Sequence, residues 1–123
     1  MHELAIAQAV LAITERHAAG RRVTKVELKV GHLRQVVPSA LSFAFELSAV
    51  GTAAEGAVLE LEEVAAAGWC RTCEARTGLP ELPLLCRVCG SSEVEVTQGE
   101  ELLVDSLELD EQDELATSGE VSA

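Results

Sequence analysis

Cys70, Cys73, Cys86 and Cys89 are the only cysteines in the chain, and they fall as two CxxC pairs with twelve residues between them. Each pair bends the backbone so that its two sulfurs point the same way. Two such knuckles together supply four thiolates for one tetrahedral ion, the shell that structural zinc prefers, with bonds of roughly 2.3 Å. A segment built this way folds around its metal and needs little hydrophobic area of its own. Gly90 follows the second knuckle, where the lack of a Cβ permits the positive φ that turns amides toward sulfur. Glu74 holds the same place after the first knuckle. Arg71 and Arg87 each follow the first cysteine of their pair and are candidates to offset the negative charge of a zinc tetrathiolate. The competing reading is a pair of disulfides or a redox dithiol. It calls for an oxidising compartment, and no charged-then-apolar leader accompanies the cysteines.

The rest of the chain must provide one modest core. At 123 residues it has room for a small domain plus a metal-held module. No apolar run approaches the eighteen or so residues of a membrane span, so a cytoplasmic protein is expected. The formal charge of −12 argues against a partner that presents phosphates, because nucleic-acid binders depend on a surplus of Lys and Arg. That charge is uneven: residues 98–123 hold nine acids and neither Lys nor Arg.

Periodicity places the elements. Leu4, Ile6, Ala7, Val10, Leu11, Ile13 and Thr14 line one half of a helical wheel, and Ala5, Ala9, Ala12, Glu15 and Arg16 the other, so residues 4–17 read as an amphipathic helix. His17 lies on its apolar side, a position that reads as packing or capping, and Gly20 supplies the stop. Val26, Leu28 and Val30 alternate with Glu27 and Lys29 in a half-buried strand over 23–30. His32 sits in the turn that follows. Pro38 suits a first helical position, and from there to Val50 Ser39, Ser42 and Glu46 mark a narrow polar stripe, so a deeply packed helix with both Phe43 and Phe45 as core filler is expected. Thr52 to Glu55 has capping-box form and closes at Gly56. Ala57, Leu59 and Leu61 alternate with Val58, Glu60 and Glu62 in a second strand. After Val64 periodicity stops. Trp69, next to Cys70, reads as an apolar shield for the first knuckle; Gly78, Pro80 and Pro83 mark a turn-rich excursion, and Glu93 to Val96 form a short strand. Leu103, Asp105, Leu107 and Leu109 alternate again as a third strand. The acidic, then small and polar residues 111–123 read as a disordered tail.

The expected architecture is therefore α+β. Two helices pack on a three-stranded sheet assembled from residues 1–66 and 98–110, and a small zinc-ribbon-like module, 67–97, is inserted between two of its strands.

The chain start carries a second metal motif. The Met1 amine, the His2 ring and the Glu3 carboxylate lie within three residues, and the amine, deprotonated amides and imidazole can close fused chelate rings in one plane. Such nitrogen sets suit Ni(II) or Cu(II). The large His2 side chain favours retention of Met1. Taken alone, a His-Glu start reads more readily as a solvated helix beginning, since short motifs are weak.

Together these residues resemble the HypA/HybF family of nickel chaperones. The resemblance runs from Met1 to Leu109 through the Met-His-Glu start, Val30-Gly31, Phe43-Ala44-Phe45-Glu46, the run Gly51 to Gly56, both CxxC knuckles with Cys89-Gly90-Ser91, and Gln98-Gly99. It implies Ni(II) held by Met1, His2 and Glu3 as transient cargo, and structural Zn(II) held by Cys70, Cys73, Cys86 and Cys89. It further implies partnership with the maturation GTPase HypB and delivery to the large subunit of [NiFe]-hydrogenase, and leaves room for a homodimer. Arg87 and Ser39 stand where the family often has Pro and Glu.

The function expected is binding and transfer of nickel, not catalysis. A zinc-ribbon nucleic-acid module would share the cysteine spacing, but the acidic balance and three aromatic residues, Phe43, Phe45 and Trp69, count against phosphate contact and base stacking. A zinc hydrolase would need an open metal position, and no HExxH is present. A scaffold that docks proteins through its zinc module without carrying nickel would be separated from a chaperone by Ni(II) dialysis.

Overall fold

In the computed structural model, which describes residues 2–110 and 114–121, the first helix α1 spans Glu3–Ala18. It buries Ile6, Ala7, Val10, Leu11, Ile13, Thr14 and Ala18, the stripe its periodicity dictates, and the Thr14 hydroxyl is satisfied by the Val10 carbonyl at 2.8 Å. Leu4, expected on that stripe, is instead exposed in the first turn of the helix. The helix stops where Ala19 takes a left-handed conformation and its N–H caps the Glu15 carbonyl, with Gly20 continuing at positive φ.

Strand β1, Val23–Gly31, is central to the sheet, and its Val23, Val26 and Leu28 are almost fully enclosed. A 3-10 turn over His32–Arg34 leads into α2, Pro38–Ala49, and the chain returns as β2, Val58–Val64. Strands β1 and β2 pair in parallel, a geometry that requires a crossover, and α2 is its helix. Pro38 opens α2 as expected. Between α2 and β2, Glu55 accepts from the Gly51 N–H at 2.7 Å and Thr52 Oγ1 from the Ala54 N–H at 3.1 Å, so the capping-box sequence makes one closed turn.

Beyond β2 the chain leaves the first sheet. Strands β3, Ala67–Cys70, β4, Ala75–Gly78, and β5, Val94–Gln98, form a second, antiparallel sheet in the order β4-β3-β5. The chain then re-enters the first sheet as β6, Leu102–Leu109, antiparallel to β1. Both helices cover one face of this sheet, where Phe45, Leu41, Leu28, Val104 and Leu107 close the core. Each such side chain contributes about 1.5–3 kcal/mol by leaving water. The other face is a ladder of charges, in which Lys25 reaches Glu27, Glu60 and Glu108 at 3.3–3.6 Å and Lys29 reaches Glu62 and Asp105 at 4.0 Å.

The α+β class is as expected, and three details differ. Residues 111–123 were expected to be a disordered tail, yet Glu114–Glu120 form β7, antiparallel to β6, and make the sheet four-stranded in the order β2-β1-β6-β7. The edge of β6 facing away from β1 would otherwise present unpaired N–H and C=O groups, and the tail satisfies them although its composition carries no strand pattern. Val121 follows into the core, its N–H donating to the Leu102 carbonyl at 2.9 Å. The remainder of that expected tail, 111–113 and 122–123, lies outside the described residues. Second, Leu103, Asp105, Leu107 and Leu109 do not share a face. Leu102 and Val104 are buried, then Ser106, Leu107 and Leu109, because an irregularity in the pairing opposite Glu27 and Leu28 moves the side-chain phase by one residue. Third, Phe45 is core but Phe43 is 62% exposed, because α2 buries only the face bearing Leu41, Ala44, Phe45 and Ala49.

Candidate metal centres

The second sheet carries one cysteine pair at the end of β3 and in its turn to β4, and the other pair lies in the segment between β4 and β5. Cys70 ends β3, where its neighbours in register are Ala75 on β4 and Val94 on β5, and it is wholly buried. Cys73 sits in the tight turn to β4, which Glu74 closes at φ 54, so a residue with a Cβ adopts there the left-handed conformation that Gly90 adopts at φ 82 after the second knuckle. In that second knuckle the Cys86 carbonyl accepts from the Gly90 N–H at 2.8 Å, and the Cys86 N–H donates to the Ser91 carbonyl at 2.8 Å. The knuckles are tied to each other by the Thr72 and Ser91 hydroxyls, 2.8 Å apart, and by the Arg87 N–H, which donates to Thr77 Oγ1 at 2.9 Å.

The result is a compact sulfur cluster. All four Sγ atoms lie within 4.8 Å of one another, with Cys70 and Cys89 at 3.6 Å and Cys73 and Cys86 at 3.7 Å. A regular tetrahedron with bonds of about 2.3 Å has edges of about 3.8 Å. A disulfide would instead need about 2.05 Å, and all four cysteines are free. Backbone amides already favour thiolate on one of them: the Cys89 and Val88 N–H groups, 3.5 and 3.3 Å from Cys86 Sγ, draw that thiol down to about 6. Cys70 is lowered too, chiefly by the Cys73 N–H. Burial pushes Cys73 up to about 12. Four thiolates this close repel one another, and a dication among them removes that penalty. The donor set therefore fits a tetrahedral metal ion with no position left for water.

Two sequence expectations about the surroundings change. The Arg71 guanidinium meets Glu95 at 2.7 Å and that of Arg87 meets Glu81 at 3.8 Å, so each charge is taken up by a carboxylate. Trp69 is 45% exposed and does not cover the sulfurs, because neighbours along a strand point to opposite faces and Cys70 takes the inner one.

The terminal motif is placed in part, since Met1 lies outside the described residues. His2 is exposed and stands at the N-cap of α1, its carbonyl accepting from the Ile6 N–H at 2.9 Å. That is the first bond of the helix, so the amides ahead of it fall outside the helical ladder. Glu3 is half-buried, and its Oε2 accepts from the Val37 N–H at 3.3 Å, which ties the chain start to the approach of α2. His17 falls in the last turn of α1. His32, with no visible partner in the sequence, bridges Glu63 and Pro80 at the joint between the two sheets. Nothing in the local pattern could have revealed that cluster, because its members are far apart in the chain and meet only when the inserted segment folds back.

Fold and site together define an α+β metal-binding protein whose four-thiolate module is set between two strands of its main sheet. A family model described as hydrogenase/urease nickel incorporation, metallochaperone, HypA matches residues 1–109. The hydrogenase maturation factor HypA of Geobacter sp. strain M21 is 46% identical over 110 residues, covering 89% of this chain and 100% of that protein. The HypA of Trichodesmium erythraeum is 37% identical over 90% of this chain and 97% of its own length. Among solved structures, the solution structure of the Ni metallochaperone HypA from Helicobacter pylori superposes with a TM-score of 0.64 at 25% identity, covering 89% of this chain and 97% of that one. The chain belongs to the HypA family of nickel metallochaperones of hydrogenase maturation. It is a metallochaperone and not an enzyme.

Proposed function

We propose that the protein binds Ni(II) through the Met1 amine, the His2 ring and the backbone at His2 and Glu3, and passes it to the large subunit of [NiFe]-hydrogenase in concert with the GTPase HypB. The observation that carries this reading is the position of His2, exposed at the N-cap with the amides before Ile6 outside the helical ladder. An exposed chain end lets an acceptor approach from one side and replace ligands one at a time, whereas an enclosed cage would release its cargo slowly. Glu3, whose carboxylate accepts from the Val37 N–H, ties the first turn of α1 to the approach of α2.

Cys70, Cys73, Cys86 and Cys89 would hold Zn(II), which would supply folding energy to the second sheet, apparent binding in comparable modules being about 10–16 kcal/mol. We place the protein in the cytoplasm, where reduced thiols persist; no helix among the described residues is long and apolar enough to cross a membrane.

Adding one Gly before Met1 keeps every side chain but separates the amine from His2. Ni(II) titration of the extended and native-start proteins should show a sharp loss of affinity, on the order of tenfold or more, with unchanged zinc content. Equal nickel affinity would remove the terminal amine from the ligand set.

A further inference from the structure

We propose that His32 is a positioning residue, a proton-operated clasp that holds the loop of the metal module at Pro80 against the end of the first sheet. Its ring lies between two elements distant in sequence. Nδ1 is 2.9 Å from Glu63 Oε1, at the end of β2, and Nε2 is 3.1 Å from the Pro80 carbonyl oxygen, in the inserted segment. A carboxylate and a carbonyl both accept and neither donates. A neutral imidazole has one N–H and one lone pair, so it can satisfy only one of them and turns the lone pair on the other. Only the imidazolium donates to both. Protonation and seating of the Pro80 loop are therefore linked.

The ring and the Glu63 carboxylate are themselves open to solvent, and the backbone beside them makes this surface contact part of a joint. Gly31, immediately before His32, passes so close to the returning chain that a Cβ would lie 2.1 Å from the Gly99 carbonyl carbon and oxygen, and a Cβ on Gly99 would lie 2.6 Å from Ala66 Cα. The outgoing and returning strands of the insert thus cross beside the ring, and the Leu79 N–H donates to the Ala66 carbonyl at 2.9 Å just before Pro80. On its open side the joint is a cavity of about 460 Å³ lined by His32, Glu63, Ala66, Leu79, Pro80 and Arg87.

The charges facing the ring set the sign of the effect. Glu63 from β2 attracts the imidazolium. Arg87, from the second knuckle, opposes it from across the cavity but is drawn toward Glu81 at 3.8 Å. Arg34, in the same turn as His32, is turned away to the Glu100 carbonyl at 2.8 Å. The balance raises the imidazole above its ordinary value, through the Glu63 carboxylate first and the Pro80 carbonyl second. For a group raised in the seated state, the linked stabilisation is complete below its unseated pKa and is lost as pH rises through the seated one. The clasp is closed below the ordinary imidazole pKa and opens as pH rises through the raised one.

The inference goes beyond the nickel reading and uses no nickel. The test is ¹⁵N relaxation on the full-length, zinc-loaded chain, with long-range ¹H–¹⁵N spectra of the His32 ring. Between pH 6 and pH 8 the two sheets should change from one shared rotational correlation time to two distinct ones, as Nδ1 and Nε2 pass from both protonated to one. Glu63→Gln should move the transition to lower pH. His32→Gln should abolish its pH dependence, with amide shifts of β1 and β6 and zinc stoichiometry reporting that both halves remain folded. A shared correlation time at both pH values in the wild type, an unmoved transition in Glu63→Gln, or a wild-type response in His32→Gln would each overturn the proposal.

Discussion

Phe43 and Phe45 are two residues apart on α2 and alike in chemistry, and only their angle around the helix separates a surface ring from the centre of the core. Phe45 is fully enclosed while Phe43 is 62% exposed. Phe45→Ala should cost about 3–5 kcal/mol of unfolding free energy, whereas Phe43→Ala should stay within about 0.5 kcal/mol; urea denaturation of the two variants checks the contrast. Gly31 is constrained by close approach and not by backbone freedom, since its φ of −71 suits any residue. The obstacle is the Gly99 backbone at 2.1 Å from a Cβ, and backbone cannot rotate aside. Gly31→Ala should lower stability by about 1–3 kcal/mol or more, and hydrogen exchange at the Leu33 N–H, which donates to the Gly99 carbonyl at 2.8 Å, should report the loosened crossing.

Elements show where local pattern is sufficient and where it is not. The first helix and β1 follow their periods because each turns one long apolar set into the shared core. In β6 the alternation is broken by a pairing irregularity that has no mark in its own residues, since the bulge is a property of the pair. The tail strand β7 is the clearest case of an element made by its neighbour, with β6 providing the ladder. Truncation after Asp110 should remove the buried Val121 and the β6–β7 pairing, lowering stability by roughly 2 kcal/mol. It should also expose the β6 edge, so a concentration-dependent rise in apparent mass by light scattering is expected alongside the shifted denaturation midpoint.

At the scale of the whole molecule, two sheets with different sources of stability share one chain. The first has a packed core; the second has few buried apolar side chains, Leu79 and Ala67 among them, and is organised around sulfur. Cys73→Ala should therefore release the metal and unfold the second sheet while the helices remain. Circular dichroism should keep most of its helical signal as zinc analysis falls to near zero, and loss of both together would mean that the sheets fold as one unit.

Much of this was legible from the chain alone. The CxxC spacing singles out the four sulfurs that the fold gathers within 4.8 Å of one another, and the 3.6- and 2-residue periods locate both helices and the strands over 23–30 and 57–62 because each reports one buried face. The proposed Met1-His2-Glu3 chelate is a reading of the same local kind, since adjacent residues would need no folding partner to meet. Tertiary structure alone decided which face of α2 is covered, the phase of β6, the recruitment of β7, and the meeting of His32, Glu63 and Pro80. Each depends on residues brought together across a long stretch of chain, and a contact of that kind leaves no period in the sequence on either side of it.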